Sequence, residues 1–125
     1  NRVGLDGQPR ELHIPQALAS INFADFEPAL ASGLWQKAAV GEVRRLADCA
    51  LFTVDLLRLQ AAEESVLAGN RVRVIAVTQG LLTVAHPDAS VTLRAGDFCV
   101  VPAGAVSQTV LRAPGATTFL SATAN

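Results

Sequence analysis

The chain has 125 residues, of which 50% are hydrophobic and 17% are charged, and its formal net charge is −1. This length and composition predict one domain with a sizeable core and argue against intrinsic disorder. The near-neutral charge and the aromatic content of 5% argue against a nucleic-acid partner, which would need a basic face or stacking rings. No apolar run has the length of a membrane-spanning helix, so no membrane partner is expected either.

The two cysteines indicate the compartment of the protein, and the first residues indicate whether the chain is part of a longer one. Cys49 and Cys99 lie in apolar segments and are too few for a disulfide framework, which predicts a cytoplasmic protein. The chain opens at Asn1 and Arg2, without a methionine, directly into a polar loop. We interpret this opening as a piece cut from a longer polypeptide, with removal of a tag and the first methionine as the alternative.

The first third of the chain predicts little regular structure. Residues 1–10 contain Asp-Gly and further glycine and proline, which are typical of a loop or hairpin. A short helix is predicted from about Pro15 to Ser20, because proline suits a first helical turn. A short strand at residues 21–23 follows, and then a mostly irregular connection with a helical turn over residues 24–41.

Strand patterns begin near the middle of the chain. Residues 44–50 lead into a first long strand at residues 51–59, whose nearly continuous hydrophobicity predicts that both of its faces are covered. The polar connection at residues 61–70 is expected to hold a short strand around Val66. Alternation resumes at residues 107–111, and residues 117–123 form the predicted closing strand.

Residues 71–104 organise the rest of the chain. They predict four short strands separated by turn signals at Gln79-Gly80, at residues 86–89 and at residues 95–97. The whole sequence then predicts about eight to ten strands in an all-β sandwich or barrel, with a short helical element at its N-terminus. We assign residues 1–35 to a linker and helical element that packs on the barrel, and residues 36–125 to the barrel, as one structural domain.

The segment GDFCVVPAG at residues 96–104 resembles the second conserved motif of the cupins. The resemblance implies a cupin-like jelly roll in which the apolar run fills the barrel. Metal-binding cupins place a histidine where this sequence has Ser107, and Arg73 lies near the position of the motif's glutamate. The resemblance therefore implies a cupin without metal ligands of its own.

A second resemblance narrows the family. Residues 2–14, RVGLDGQPRELHI, followed by QALASINF, are similar to the segment that links the catalytic and C-terminal parts of type I mannose-6-phosphate isomerases, and residues 93–104 fit the LxxGDxxxVPAG pattern of their C-terminal cupin. The resemblance implies an upstream catalytic domain in the same polypeptide that holds zinc and the sugar phosphate. It also implies that this chain shapes or shields the cleft and carries no catalytic or metal-binding residue.

Few residues remain as site candidates. Arg2 is the one substrate-binding candidate, because a guanidinium suits phosphate and the resemblance places Arg2 close to the missing catalytic loop; a structural role is about equally well supported. Arg10 is expected to pair with Asp6, Glu11 or backbone carbonyls. His13 has no partners at metal-ligand spacing and is expected to be packed by the adjoining domain.

The other polar groups and the cysteines are expected to have structural roles or none. His86 is expected to be exposed in a turn, residues 63–64 to be a solvated loop, and Cys99 to be core, while Cys49 would be reactive only if it is exposed. Two alternatives stay open. One is a stand-alone, metal-free cupin that binds sugar or regulates, and the other is a self-associating homodimer with Trp35 in its contact patch.

Overall fold

The computed structural model describes residues 3, 7–8, 12–24 and 33–125. The chain divides into two compact units, Asn1–Leu30 and Ala31–Asn125, which are considered separately below. Within the described part of the chain, no helix is both long and apolar enough to cross a membrane.

The first unit contains the predicted helix. Helix α1 spans Ile14–Ser20 with Pro15 in its first turn, where the missing N–H is not needed, and none of its residues is buried. The predicted strand at residues 21–23 is wrong. There the side chain of Asn22 accepts a hydrogen bond from the amide of Ala24 at 3.1 Å, which closes a turn.

Over its described residues, 33–125, the second unit is a two-sheet β-sandwich of ten strands. Their bounds are β1 Gln36–Lys37, β2 Glu42–Asp48, β3 Phe52–Leu59, β4 Glu64–Val66, β5 Arg73–Gln79, β6 Leu81–His86, β7 Ala89–Arg94, β8 Phe98–Val101, β9 Val110–Arg112 and β10 Thr117–Ala124. The larger sheet has the order β1-β2-β3-β10-β5-β8, and the smaller has the order β4-β9-β6-β7. Every pair of neighbouring strands is antiparallel. The all-β prediction and the four strands within residues 71–104 are confirmed.

Two local predictions fail in this unit. Strand β2, predicted as a lead-in, pairs with β3 along most of its length, and a bulge between Arg45 and Ala47 breaks the alternation that would have marked it as a strand. Residues 103–108 form a 3₁₀ helix where a strand was predicted from residue 107. Small residues there allow the tight turn, and the fully buried side chain of Val106 anchors it.

The core lies between the two sheets and is filled by aliphatic side chains around one phenylalanine. Its buried members are Leu59, Leu67, Ile75, Val77, Leu82, Val84, Leu93, Val101, Val106, Leu111, Ala113 and Phe119. Strands β3, β5, β8 and β10 of the larger sheet and β6, β7 and β9 of the smaller sheet contribute to it. The interior is therefore a packed core.

One expectation about the core is corrected. The apolar run of β8 was predicted to fill the barrel, but only Val101 is buried and Cys99 is half-buried. Phe98 is 67% exposed and Val100 is 56% exposed. Successive side chains of a strand point to opposite faces, so half of this run lies on the outside of the sheet.

Candidate functional site

The inner face of β5 begins with a charged residue. Arg73 alternates with Ile75 and Val77, which are buried, so all three side chains point between the sheets. The Nη2 of Arg73 donates to the carbonyl of Ala68 at 2.7 Å, and its Nη1 donates to the hydroxyl of Ser121 at 3.3 Å. Its Nε is buried without a hydrogen-bond partner. Arg73 thus ties the segment before β5 to the neighbouring strand β10.

This arrangement decides whether a cupin-type metal would fit here. The resemblance places a carboxylate near Arg73 and an imidazole at Ser107, which is exposed in the 3₁₀ helix. A guanidinium is a permanent cation with donors and no acceptor, so it cannot ligate a metal. Among the residues that the structure describes, no three histidine, cysteine, aspartate or glutamate side chains are grouped to hold an ion. The residues present do not fit a divalent metal.

A cavity of about 250 Å³ opens between the edges of the two sheets, at β7 and β8. Its walls are mainly apolar, with His86 and Thr109 among the few polar side chains. Both polar groups are already engaged: the Nδ1 of His86 accepts from the amide of Asp88 at 3.3 Å, and Thr109 donates to the carbonyl of Ala105 at 2.8 Å. None of the described residues that line the cavity is a lysine or an arginine, and these lining residues offer no cation for a phosphate.

A polar row crosses the outer face of the larger sheet at one end. Strand register places Glu42 opposite Arg58, Arg58 opposite Thr118, and Thr118 opposite Gln79. The guanidinium of Arg58 lies 4.0 Å from the ring centroid of Trp35 and 3.7 Å from the Glu42 carboxylate. Trp35 is half-buried by this stacking. The charge of Arg58 is therefore already shared between an aromatic face and a carboxylate.

The predicted candidates do not converge on one site. Arg2 and Arg10, with the expected partners Asp6 and Glu11, lie outside the described residues, and the role proposed for Arg2 stays a prediction. His13 is exposed at the N-cap of α1, where its side chain makes no capping hydrogen bond.

Two further expectations are settled by burial and contacts. The side chain of His86 is only 23% exposed, so the prediction of an exposed turn histidine is wrong. Glu64 lies in β4 and pairs with Arg112 at 2.9 Å, and the carboxylate of Glu63 accepts from the amide of Gln60 at 2.7 Å. Glu64 therefore joins β4 to β9, and Glu63 holds a local turn, so the expected loop is wrong for residue 64.

The two cysteines differ in their surroundings. Cys99 packs against the core on the inner face of β8, and burial raises the pKa of its thiol. Cys49 is exposed and its thiol lies 3.4 Å from the carbonyl of Phe52, to which it donates. Neither cysteine has an arrangement around it that would make it a nucleophile.

Sequence reasoning missed the contacts of Arg73 and the row that contains Arg58. The alternation of Arg73 with Ile75 would have predicted that its side chain points inward. Its partner Ser121 is 48 residues away and belongs to the last strand, so no local signal indicates that contact. Trp35 and Arg58 are likewise brought together only by the pairing of β1, β2 and β3.

Comparison with known proteins rests on structure, since no family model matches the sequence and no curated protein matches it. An RmlC-like cupin from Shewanella frigidimarina superposes with a TM-score of 0.65 at 17% identity, over 74% of this chain and 84% of its own. A sugar phosphate isomerase of the cupin superfamily from Silicibacter pomeroyi gives 0.62 at 21% identity, over 78% and 76%.

The mannose 6-phosphate isomerase from Bacillus subtilis gives a TM-score of 0.65 at 18% identity. That match covers 97% of this chain but only 37% of the isomerase, so the chain spans little more than a third of that protein. At these identities the likeness establishes the fold alone. The sandwich is a cupin jelly roll.

Proposed function

We propose that this chain is the C-terminal cupin domain of a cytoplasmic mannose-6-phosphate isomerase, which interconverts mannose 6-phosphate and fructose 6-phosphate. The observation that carries the proposal is the extent of one match. The Bacillus subtilis isomerase covers 97% of this chain, against 74% and 78% for the two other cupins. A match of that extent must include most of residues 1–30, the region in which the sequence resembles the linking segment of these isomerases.

The role of this domain within such an enzyme is structural. Aldose–ketose isomerisation moves a proton between two carbons and needs a positioned acid–base group and an electrophile that polarises the carbonyl, a role that a Lewis-acidic metal can fill. The inner face of this barrel offers instead a hydrogen-bonded arginine and a packed aliphatic core. Zinc and the sugar phosphate are therefore assigned to an upstream catalytic domain, and this domain supports or shields the cleft.

The test compares the whole polypeptide with this chain alone. A coupled assay that follows fructose 6-phosphate formation from mannose 6-phosphate is expected to show activity for the whole polypeptide and none for the 125 residues. The control is a mixture of the catalytic part with the separately purified chain, which reports whether the cupin acts by association. A whole polypeptide that binds mannose 6-phosphate but does not isomerise it would contradict the proposal.

A second candidate is a stand-alone, metal-free cupin that binds a sugar or serves a regulatory role. The cavity between β7 and β8 favours it, because that cavity is open to a small ligand without any second domain. Titration calorimetry of the chain alone with sugars and sugar phosphates separates the two candidates. Stoichiometric binding that Thr109→Val or His86→Ala abolishes would support the stand-alone module.

A further inference from the structure

The outer surface of the larger sheet carries a continuous set of apolar side chains. Strand register aligns them in rows across β3, β10, β5 and β8: one row runs through Leu56, Leu120, Ala76 and Phe98, the next through Val54, Ala122, Val74 and Val100, and the last joins Phe52 to Ala124. We call these ten residues the outer apolar face. None of them is polar or charged, although the face of an antiparallel sheet that contacts water is usually lined by polar residues.

Solvent reaches this face. Phe98 is 67% exposed, Val100 56%, Phe52 45% and Val74 38%. Scattered apolar residues on a surface are ordinary, but a contiguous apolar area on a sheet marks a contact surface or an aggregation hazard. The face also reaches β8, the edge strand of the sheet, which carries no lysine or proline to deter pairing.

A polar margin borders the outer apolar face at the end where Arg58 lies. Arg58 follows Leu56 on the outward side of β3, and Thr118 precedes Leu120 on the outward side of β10. Trp35 covers the guanidinium of Arg58 at that margin. An apolar centre with a polar border that contains tryptophan and arginine has the composition of a protein–protein interface.

The size of the face decides what covers it. Ten residues, each occupying about 4.8 Å across the strands and about 6.6 Å along them, give roughly 320 Å² on one side. Two copies face to face would bury about 640 Å², below the roughly 1,200 Å² at which stable complexes begin. Interfaces between domains of one chain extend down to about 600 Å², because a linker supplies a millimolar effective concentration.

We propose that the outer apolar face docks against an apolar face of another domain in the same polypeptide. The proposal rests on the proposed function only in requiring a larger polypeptide, and it adds which surface of the cupin makes the contact. The Bacillus subtilis isomerase, of which the matched part is 37%, has chain length enough for such a neighbour. Docking covers Phe98, Val100 and Val74 and leaves the outer face of the smaller sheet in water.

Two lysine substitutions test the docking surface. Val100→Lys places a charge on the outer apolar face. Val66→Lys is the matched control, since Val66 is 62% exposed on the outer side of β4, the edge strand of the smaller sheet. Each is made in the whole polypeptide and in this chain alone. Val100→Lys is expected to lower the melting temperature of the whole polypeptide by about 2–4 °C or more and to leave that of the chain alone close to wild type.

The outcomes separate this inference from the proposed function. Val66→Lys should behave alike in both contexts, and equal effects of Val100→Lys in both contexts would overturn the docking surface. Isomerase activity of the whole polypeptide is measured separately. Its presence or absence tests the proposed function and does not bear on the docking surface. A 125-residue chain that sediments as a stable dimer, which Val100→Lys dissociates, would assign the face to a second copy and overturn the proposal. A coding sequence with no further domain would overturn it as well.

Discussion

Gly80 occupies a position that no other residue fits without strain. It joins β5 to β6 with φ +85°, and a Cβ added there would lie 2.6 Å from the carbonyl of Ala116 and 2.9 Å from the hydroxyl of Thr117. That hydroxyl is itself fixed, because it donates to the carbonyl of Leu81 at 2.7 Å. The turn predicted at Gln79-Gly80 is confirmed, and its tightness comes from the approach of the segment before β10.

Gly80→Ala is therefore expected to destabilise the chain through two effects, left-handed backbone strain and a steric clash. Gly96→Ala supplies the control, because Gly96 has φ +95° and nothing within 4 Å of an added Cβ. Strain alone should cost Gly96→Ala about 1–2 kcal/mol. Gly80→Ala should lose at least about 1 kcal/mol more, since backbone atoms cannot yield. Urea unfolding of both variants measures the difference, and equal losses would show that the strand yields.

At the scale of single elements, β8 shows how an apolar run divides between two environments. Val101 and Cys99 face the core, while Phe98 and Val100 face outward. Residues 98–101 are all apolar, so nothing in their sequence indicates which face is buried. The register with β5, in which Val101 lies opposite Arg73 and Cys99 opposite Ile75, fixes the assignment.

The two faces of β8 should respond differently to truncation in this chain alone. Val101→Ala is expected to cost about 2 kcal/mol, because it leaves a cavity in a packed core. Phe98→Ala removes a larger side chain but should change the free energy of unfolding by only about 0.5 kcal/mol, since its ring is 67% exposed. Urea denaturation gives both values. A larger loss for Phe98→Ala would mean that its ring is covered.

The same reasoning explains how far the sequence predicts this fold. Strands β5 and β7 are predictable from two-residue alternation, and β6 and β8 from short apolar runs bounded by turn residues. Strand β2 is not, since its bulge shifts the alternation and its stability comes from pairing with β3. The 3₁₀ helix at Ala103–Gln108 is held by the burial of Val106, which depends on the opposite sheet.

The candidate site divides in the same way. The resemblance to the cupin motif places Arg73 near the motif's glutamate, and the alternation of Arg73 with Ile75 indicates that its side chain points inward. Its hydrogen bonds to Ala68 and Ser121 could not be predicted, because they depend on the closure of the barrel by β10. The outer apolar face could not be predicted from the sequence either, since its rows join strands that are far apart in sequence.

At the scale of the whole molecule, the barrel keeps the architecture of a cupin and fills its interior. The core is built from aliphatic side chains of both sheets, with Phe119 fully buried on β10. In a barrel of this size a packed interior stabilises the fold, and the cavity of about 250 Å³ lies at its edge, between β7 and β8. On the docking proposal, this chain acts through the outer apolar face and its polar margin.

Metal analysis tests whether the interior of the barrel holds an ion. After incubation with zinc and dialysis, the 125-residue chain is expected to retain far less than one zinc ion per chain, because a guanidinium occupies the inner position nearest to the missing carboxylate. Arg73→Glu restores a carboxylate there, yet one oxygen ligand falls short of the three or four that a zinc site needs, so this variant should remain zinc-free. The whole polypeptide, in contrast, should retain about one ion per chain. Tight, stoichiometric zinc on the unmodified 125 residues would contradict the assignment of metal chemistry to another domain.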